Sequence, residues 1–338
     1  MSNLQDKAIC VIGAGAWGGT LAWLLGQHKT RISLWSHDKT KGEQIIQSRK
    51  LKTPCELSLA PNVQVHTDLE TALLDSEIIL MACNSQSMRE MMQKIAPILS
   101  RNKLKTPVVS VAKGLERGSL CRMSEALRQA SGDLNQPVCA LSGPNLAFEI
   151  ASGKPAAAVL ACDDLLVAQG LQKALSCPTF RVYSSDDLIG VELGGTLKNI
   201  IAIAAGISDG LNLGVNAKSA LLTRGLAEMV RLSKAMGAKS PTLWGLSGMG
   251  DLFATCQSPL SRNYNIGLQL AAGKSVSEAV EIVKATAEGV ETTYAVCELS
   301  KNMGIELPIA EQVQATMKGQ VTARETIMSL MARPLSVE

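Results

Sequence analysis

The junction of KAICVI, residues 7–12, with GAGAWG, residues 13–18, limits the possible folds of this chain more than any other segment. A short apolar run predicts a buried strand, and apolar residues then recur at helical spacing over 17–25. A second apolar run, RISLW at 31–35, follows. The order strand, glycine turn, helix, strand predicts the first unit of a doubly wound parallel sheet.

The glycines of GAGAWG occupy the positions of a GxGxxG turn. In such a turn the first glycine permits the tight bend, the second lets a pyrophosphate approach the backbone, and the third lets helix and strand pack closely. The amides at the helix N-terminus face the anion. We therefore predict that a dinucleotide binds at Gly13, Gly15 and Gly18. The alternative is a glycine-rich turn without function.

Four further apolar runs extend the predicted sheet: SEIILMAC at 76–83, TPVVSVA at 106–112, PVCALSG at 137–143 and PAAAVLAC at 155–162. Their spacing leaves room for crossover helices, for example at 85–99. The sequence thus predicts an α/β fold whose N-terminal part is a Rossmann-type, doubly wound parallel sheet.

The pattern changes beyond residue 186. SSDDLIG provides serine and aspartate at a helix start, and later apolar residues recur mainly at helical spacing. We predict a dinucleotide-binding domain at 1–186 and an all-helical, substrate-binding domain at 187–338. A long helix that begins near Asp187 would join the two and place Lys198 close to the cleft between them.

The charge of the chain is nearly balanced, with 33 basic and 30 acidic residues. No strong field of one sign favours nucleic acid or a membrane surface, so an anionic partner must be bound locally. The N-terminus lacks a signal-peptide pattern, and no apolar run approaches the ~18 residues of a membrane span. We expect a cytoplasmic protein without integral membrane contact.

The nine cysteines are dispersed, with no CxxC pair, and the three histidines show no ligand spacing. This usage fits reduced thiols in a cytosol, most of them serving as small core residues. We predict no metal site.

The residues after the second strand bear on which dinucleotide binds. NAD-selective folds usually place a carboxylate about twenty residues past the glycine turn, where it holds the ribose hydroxyls. Here Ser36 and His37 follow the strand, and Asp38 comes one or two places late. A neutral or cationic side chain tolerates a ribose 2′-phosphate, so NADP or dual use is favoured over strict NAD. The alternative for His37 is a solvated loop residue.

Two further turns follow predicted strands, at the edge where ligands bind in open α/β sheets. LSGPNLAFEIASG, residues 141–153, places Gly143 after one strand, and AKGLERG, residues 112–118, places Lys113 after another. Both turns are candidates for an anion site. The alternative for Lys113 is a solvated lysine.

The segment GLSGMGDLFATCQSPLSRNYNIG, residues 245–267, combines glycines around Asp251 with a hydroxyl, a guanidinium and an amide at Ser261, Arg262 and Asn263. The planar fork of arginine suits phosphate because it donates two parallel hydrogen bonds. The alternative is an N-capped helix with an exposed arginine.

Lys198 is the single lysine of ELGGTLKNIIAIAAGI, residues 192–207, where apolar residues recur at helical spacing. The helix alone allows a lysine whose stem crosses apolar surface and whose amine reaches water. The neighbouring motifs favour a functional lysine instead.

Together these segments resemble the NAD(P)-dependent glycerol-3-phosphate dehydrogenases in their bacterial form. The similarity rests on VIGAGAWGGTLA, AKGL, LSGPNLAFEIASG, ELGGTLKNIIAIAAGI, GMGDLFATCQSPLSRN and AEGVETT, in the family's order and at similar spacing across nearly the whole chain. The resemblance implies interconversion of sn-glycerol 3-phosphate and dihydroxyacetone phosphate by hydride transfer with NAD(P). It also implies a supply of glycerol 3-phosphate for phospholipid synthesis, and a homodimer.

The resemblance further implies roles for individual residues. Lys198 is the proton acceptor when glycerol 3-phosphate is oxidised, and Lys113 contacts both substrate and cofactor. The other residues on the substrate side are Gly143, Asn145, Asp251, Ser261, Arg262 and Asn263, and Arg262 also reaches the cofactor. The cofactor side further includes Ala16, Trp17, His37, Ala147 and Glu288.

A buried Lys198 suits this role because removal from water lowers the pKa of an amine by up to ~3–5 units, which produces a base near neutral pH. Lys113 would lower this pKa further by like-charge repulsion, and Asp251 would hold or orient the ammonium. Gly194 and Gly195 lie about one helical turn before Lys198. Their missing side chains are expected to leave room for substrate or cofactor.

Several positions depart from the family pattern. Asn145 stands where Ser or Thr is usual, Ala16 where Ser is frequent, and Thr286 where Val is common. MACNSQSM at 81–88 replaces a VPSQ-like form.

The nearest rival enzyme is a 3-hydroxyacid dehydrogenase of similar two-domain build, which binds a carboxylate where SPLSRN indicates phosphate. A rival from another class is a redox sensor that binds a dinucleotide without turnover.

Overall fold

The computed structural model describes residues 7–28, 31–102, 105–284 and 288–332. The strands within these ranges are β1 (Ile9–Ile12), β2 (Ile32–Trp35), β3 (Lys50–Leu51), β4 (Leu57–Ser58), β5 (Val63–His66), β6 (Ile78–Met81), β7 (Val108–Ser110), β8 (Val138–Ser142), β9 (Ala156–Cys162) and β10 (Phe180–Ser185). Eight of them form one sheet in the order β10-β9-β8-β7-β6-β1-β2-β5, and β3 pairs with β4 separately.

Helices cover the sheet and then form the whole C-terminal part. Those that alternate with strands are α1 (Ala16–Gly26), α2 (Lys39–Ser48), α3 (Leu69–Leu73), α4 (Met88–Arg101), α5 (Met123–Ser131), α6 (Ala147–Ala151) and α7 (Leu165–Leu175). The C-terminal helices are α8 (Leu188–Gly210), α9 (Gly214–Ala235), α10 (Ser240–Leu243), α11 (Asp251–Gln257), α12 (Arg262–Ala271), α13 (Val276–Val283), α14 (Glu288–Met303), α15 (Pro308–Met317) and α16 (Ala323–Met331). The predicted fold class is confirmed.

The sheet places its switch point beside the glycine turn. Strand β1 pairs in parallel with β2 on one side and with β6 on the other, so that Ile9 lies opposite both Ile32 and Ile78. The strand order therefore reverses at β1, and a crevice opens at the carboxyl ends of β1 and β6, where open α/β sheets bind ligands. All six predicted strands form, because each is an apolar run that the sheet buries.

The sheet departs from the parallel arrangement at one pair, because β9 runs antiparallel to β8. Residues 143–155 connect these two strands and contain only the five-residue helix α6. A parallel return usually runs through a full crossover helix, and this connection contains none. The sequence pattern also missed β5 and β10, which lie at the two edges of the sheet and alternate buried with exposed residues.

Helix α8 is the central helix of the C-terminal part. It begins after Asp187, whose carboxylate accepts a hydrogen bond from the Gly190 amide, and it packs on β8, α9, α11 and α12. By length and composition it could cross a membrane, but 89% of its apolar window is buried inside the protein, as in a core helix. Helix α8 contacts both the sheet and the C-terminal helices. The domain boundary at residue 186 therefore stays a prediction.

Helices α8 and α12 cross at contact distance through a pair of glycines. A Cβ atom on Gly206 would lie 2.0 Å from the Tyr264 carbonyl oxygen, and one on Gly267 would lie 2.0 Å from the Ile203 carbonyl oxygen. No side chain fits at either position, so the two backbones touch. The crossing fixes the position of the N-terminus of α12 relative to α8.

Replacement of Gly267 by alanine is expected to lower the free energy of unfolding by about 1–3 kcal/mol, because the added methyl group forces the helices apart. The matched control is Gly170→Ala in α7, where an added Cβ meets nothing within 4 Å. That change should raise stability by about 0.5–1 kcal/mol through helix propensity. Urea unfolding measures both, and equal stability of the two variants would contradict the tight crossing.

Candidate active site

A cleft of about 1080 Å³ lies between the carboxyl ends of the strands and the C-terminal helices. The structure brings most of the predicted site residues to its walls: Gly13, Gly15, Ala16, Trp17, His37, Lys113, Asn145, Ala147, Lys198, Ser261, Arg262, Asn263 and Glu288. Gly18, Gly143 and Asp251 do not line the cleft and lie directly behind residues that do. Thr286 falls outside the described residues.

The glycine turn has the geometry that a dinucleotide requires. Gly13 has a φ of +118°, which favours glycine, and a Cβ on Gly18 would lie 2.0 Å from the Gly13 carbonyl oxygen. A Cβ on Gly15 would meet nothing within 4 Å, so this residue faces open space at the N-terminus of α1. The turn therefore offers exposed backbone beside a helix N-terminus, which fits a pyrophosphate.

The end of β2 presents basic groups to the cleft, and the nearby carboxylate is engaged elsewhere. Asp38 caps α2 and accepts a hydrogen bond from the Lys41 amide at 3.0 Å. The Ser36 hydroxyl donates to the Asp38 carbonyl oxygen at 2.9 Å. His37 and the side chain of Lys41 line the cleft. The sequence pattern did not identify Lys41, because helix-start lysines are usually solvated.

Two lysines share one buried carboxylate at the inner end of the cleft. Lys198 Nζ donates to Asp251 Oδ1 at 2.7 Å, and Lys113 Nζ donates to Asp251 Oδ2 at 2.6 Å. Asp251 is 2% exposed and Lys198 is 6% exposed. We call Lys113, Lys198 and Asp251 the lysine–aspartate cluster.

Burial lowers the pKa of Lys198 to about 8. The charge of Asp251 opposes this shift, and the positive charge of Lys113 adds to it. Lys198 is therefore an amine that gains and loses a proton within the physiological range, the property required of a general acid or base.

Two further polar residues complete the cluster. Thr255 follows Asp251 by one turn of α11, and its hydroxyl accepts a hydrogen bond from Lys198 Nζ. Asn199 donates from its side-chain amide to the Lys113 carbonyl oxygen at 3.3 Å, and both residues line the cleft. Neither residue was predicted from the sequence, although the i, i+4 spacing of Asp251 and Thr255 on a helix was a usable signal.

The expectation for Gly194 and Gly195 is wrong. A Cβ on Gly195 would lie 2.3 Å from Ser142 Oγ and 3.3 Å from Lys113 Cγ, and one on Gly194 would lie 2.6 Å from the Ser247 carbonyl oxygen. Protein atoms occupy the space that the missing side chains leave, so the glycines open no room for a ligand there. These glycines let β8 and the turn before α11 approach α8, and they thereby bring Lys113 next to Lys198.

The turn after β8 holds Lys113 from a second side. Gly143 has a φ of +147°, and its carbonyl oxygen accepts a hydrogen bond from Lys113 Nζ at 2.9 Å. The side-chain amide of Asn145 donates to the Ala157 carbonyl oxygen at 3.0 Å. Asn145 thus ties the turn to β9 while it lines the cleft.

The first turn of α12 forms the wall opposite the glycine turn. Ser261 caps this helix and accepts a hydrogen bond from the Tyr264 amide at 3.2 Å, and Asn263 Oδ1 accepts one from the Gly289 amide. Burial raises the pKa of Glu288, and the positive charge of Arg262 opposes that shift. The helix is N-capped and Arg262 is exposed, as the alternative describes, and Arg262 also lines the cleft.

The cysteines and acidic groups give no sign of metal chemistry in the ranges that the structure describes. Five of the nine cysteines are buried, and none forms a disulfide. No cluster of three or more His, Cys, Asp or Glu side chains in these ranges is arranged to hold a metal ion.

The sequence matches two halves of one protein family. The NAD-dependent glycerol-3-phosphate dehydrogenase N-terminus matches residues 8–168, and the C-terminus of the same family matches residues 187–328. Glycerol-3-phosphate dehydrogenase [NAD(P)+] of Syntrophotalea carbinolica is 41% identical over 98% of this chain and 99% of its own length. The protein of the same name from Rhodospirillum rubrum is 40% identical and covers all of this chain and 95% of its own length.

A solved structure extends the similarity to three dimensions. The crystal structure of glycerol-3-phosphate dehydrogenase from Coxiella burnetii has a TM-score of 0.90 and 35% sequence identity, over 97% of this chain and 99% of that one. Similarity of sequence and of fold therefore spans both the sheet and the helical part. This chain belongs to the NAD-dependent glycerol-3-phosphate dehydrogenase family.

Proposed function

We propose that this chain interconverts sn-glycerol 3-phosphate and dihydroxyacetone phosphate with NAD(P). The names of its relatives support this activity. The lysine–aspartate cluster carries the proposal, because it sets a titrating amine at the inner end of a cleft that also contains an open glycine turn. The first experiment is the initial rate of NADPH and NADH oxidation with dihydroxyacetone phosphate.

In this proposal Lys198 transfers the proton of the reaction. A bound nicotinamide supplies hydride to C2 of dihydroxyacetone phosphate in reduction and takes it in oxidation. During reduction the Lys198 ammonium donates a proton to the C2 oxygen as negative charge builds there, and during oxidation the neutral amine accepts it. Asp251 and Thr255 orient the amine through their hydrogen bonds, and Lys113 stabilises the same oxygen.

The substrate phosphate is assigned to the first turn of α12. Backbone amides at a helix N-terminus attract anions, and the guanidinium of Arg262 adds a bidentate donor. Ser261 and Asn263 complete this set, and Glu288 lies near Arg262 on the cofactor side. On the glycine-turn side Gly13 and Gly15 receive the pyrophosphate, next to Ala16, Trp17 and Ala147, and Gly18 lets α1 pack against the turn.

NADP is the favoured cofactor, with NAD as a second one. The Asp38 carboxylate is engaged as a helix cap, so it does not compete for the ribose hydroxyls. His37 and Lys41 line that end of the cleft and suit a 2′-phosphate.

The proposed setting is a cytoplasmic homodimer that supplies glycerol 3-phosphate for phospholipid synthesis, with domains at 1–186 and 187–338. Its proposed partner is a small phosphorylated substrate, and we propose neither a nucleic-acid partner nor integral membrane contact.

The pH dependence should follow the titration of Lys198. Because its pKa is about 8, kcat/KM for reduction is expected to fall as pH rises through about 8, when the ammonium is lost. For oxidation kcat/KM should rise over the same interval. Lys198→Met should remove both activities, with a loss of about 10²–10⁴-fold. Initial rates from pH 6 to 10 test this, and retained activity in the variant would exclude Lys198 as the acid or base.

Arg262→Ala is expected to raise KM for dihydroxyacetone phosphate and to weaken transition-state binding by about 2–5 kcal/mol. Arg262→Lys keeps the charge and loses the fork, so its loss should be smaller but clear. The control is Arg224→Ala, which alters an exposed arginine of α9. Wild-type saturation by substrate in Arg262→Ala would rule out the phosphate contact.

Cofactor preference should depend on Lys41. Lys41→Ala is expected to reduce kcat/KM for NADPH about tenfold, through loss of a charge-assisted hydrogen bond, and to leave that for NADH nearly unchanged. The matched control is Lys39→Ala, an exposed lysine of the same helix turn that does not line the cleft. An equal loss with both cofactors would argue against a 2′-phosphate at this position.

A further inference from the structure

The chain segment after β6 lies between the cleft and the loop that carries Lys113. Ser85–Ser87 form a short 3₁₀ turn, and α4 begins at Met88. Asn84 and Ser87 line the cleft on either side of Gln86. The side chain of Gln86 turns away from the cleft and contacts the loop 113–117.

Both ends of the Gln86 amide bond to the backbone of that loop. Nε2 donates to the Leu115 carbonyl oxygen at 2.8 Å, and Oε1 accepts from the Arg117 amide at 2.9 Å. The Gln86 amide donates to residue 115 and accepts from residue 117, so it fits only one register of the loop. A shift of the loop by one residue would place the Nε2 donor against a backbone N–H donor. Gln86 therefore fixes the loop position along the chain direction.

Arg89 holds the residue between those two. Its guanidinium donates to both carboxylate oxygens of Glu116, with distances of 2.7–3.0 Å, and Glu116 is only 9% exposed. A bidentate arginine–carboxylate pair adds direction as well as energy. Ser119 donates to the same carboxylate.

Close packing brings this loop into contact with the turn at Ser85. A Cβ on Gly114 would lie 2.8 Å from Ser85 Oγ and 2.9 Å from Ser85 Cβ. Lys113 precedes this glycine directly, and its Nζ reaches the Gly143 carbonyl oxygen and Asp251. The loop position thus sets where the ammonium of Lys113 lies.

We propose that Gln86, supported by Arg89, is a positioning residue for Lys113: it fixes the 113–117 loop so that the lysine amine lies on Asp251 beside Lys198. The inference rests on the proposed function, since it assigns Gln86 to the same reaction. Gln86 itself does not touch the cleft. Because Asn84 and Ser87 flank it, the wall of the cleft and the Lys113 loop are held as one unit.

The test replaces Gln86 by methionine, which keeps the length of the side chain and removes both hydrogen bonds to the loop, together with the one that Nε2 donates to Ser85 Oγ at 3.2 Å. We expect kcat/KM for dihydroxyacetone phosphate to fall about 10–100-fold, the range for a misplacement of about 1 Å near reacting groups. The control is Gln172→Met, because the Gln172 amide also donates to a backbone carbonyl, that of Val182 at 2.9 Å, far from the cluster. This control should retain wild-type activity.

A double-mutant cycle separates positioning from general stability. If Gln86 acts through Lys113, then Gln86→Met should cost no more than about twofold in a Lys113→Ala background, because coupled residues are not additive. Gln86→Glu keeps the acceptor for the Arg117 amide and loses the donor to Leu115, so its activity should be intermediate. A full additional loss in the Lys113→Ala background would overturn the inference.

Hydrogen exchange tests the anchor independently of the reaction. The Arg117 amide should exchange at least about tenfold faster in Gln86→Met than in wild type, since its acceptor is gone, while exchange in β1 and α8 stays unchanged. Unchanged exchange at Arg117 overturns the inference whatever the activity is. Absence of turnover in the wild-type protein would instead refute the proposed function, and exchange would still decide whether Gln86 holds the loop.

Discussion

One carboxylate shared by two ammonium groups is the interaction on which this molecule depends. With both lysines protonated, the lysine–aspartate cluster carries one net positive charge in a buried place, which is unfavourable without a counter-ion. Burial lowers the pKa of Lys198 to about 8 although the amine touches an aspartate, and the positive charge of Lys113 adds to this shift. Release of the Lys198 proton makes the cluster neutral. An incoming anion offers the other way to balance the charge. Proton transfer and anion binding are thus two responses to one electrostatic condition.

The fold brings together the three residues of the lysine–aspartate cluster from separate elements. Lys113 follows β7, Lys198 lies in the middle of α8, and Asp251 begins α11. These positions meet only where α8 packs against both the sheet and the helical part. Helix α8 has glycines at three of its contacts: Gly194 and Gly206 meet backbone carbonyl oxygens, and Gly195 meets the side chains of Ser142 and Lys113. Stability and chemistry therefore constrain the same short stretch of α8.

Much of this architecture was readable from the sequence, because buried strands and helices leave periodic apolar patterns. The six continuous apolar strands, the glycine turn and the helix start at Asp187 were predicted from such local signals. The direction of β9 was not predicted, since strand direction depends on whether the connection forms a full crossover helix and not on the composition of the strand. The edge strands β5 and β10 lack a continuous apolar run, so they were also missed.

Site residues divide along the same line. Lys198, Asp251 and Arg262 stood out because charges in apolar or glycine-rich surroundings are unusual, and a family resemblance supplied their proposed roles. Thr255 and Gln86 are ordinary residues that contact partners distant in the chain, and Lys41 is an ordinary residue that the fold brings to the cleft. The interpretation of Gly194 and Gly195 failed for a related reason. A glycine in a helix indicates a close neighbour, but the sequence does not show whether that neighbour is a ligand or another part of the protein.

If the ribose binds at the end of β2 as proposed, Asp38 links cofactor choice to the stability of helix α2. Its carboxylate holds the first turn of α2, and loss of such a cap costs about 1 kcal/mol. A variant that turned this carboxylate toward a ribose would weaken the helix, and a variant that removed it would do the same. A change of nucleotide preference in this protein therefore has a low-cost route only through neighbours such as Lys41, whose side chain makes no contribution to the cap. Dinucleotide-binding folds usually select their cofactor at the residue that ends the second strand. In this protein, substitutions next to that position can change cofactor preference at a lower cost in stability.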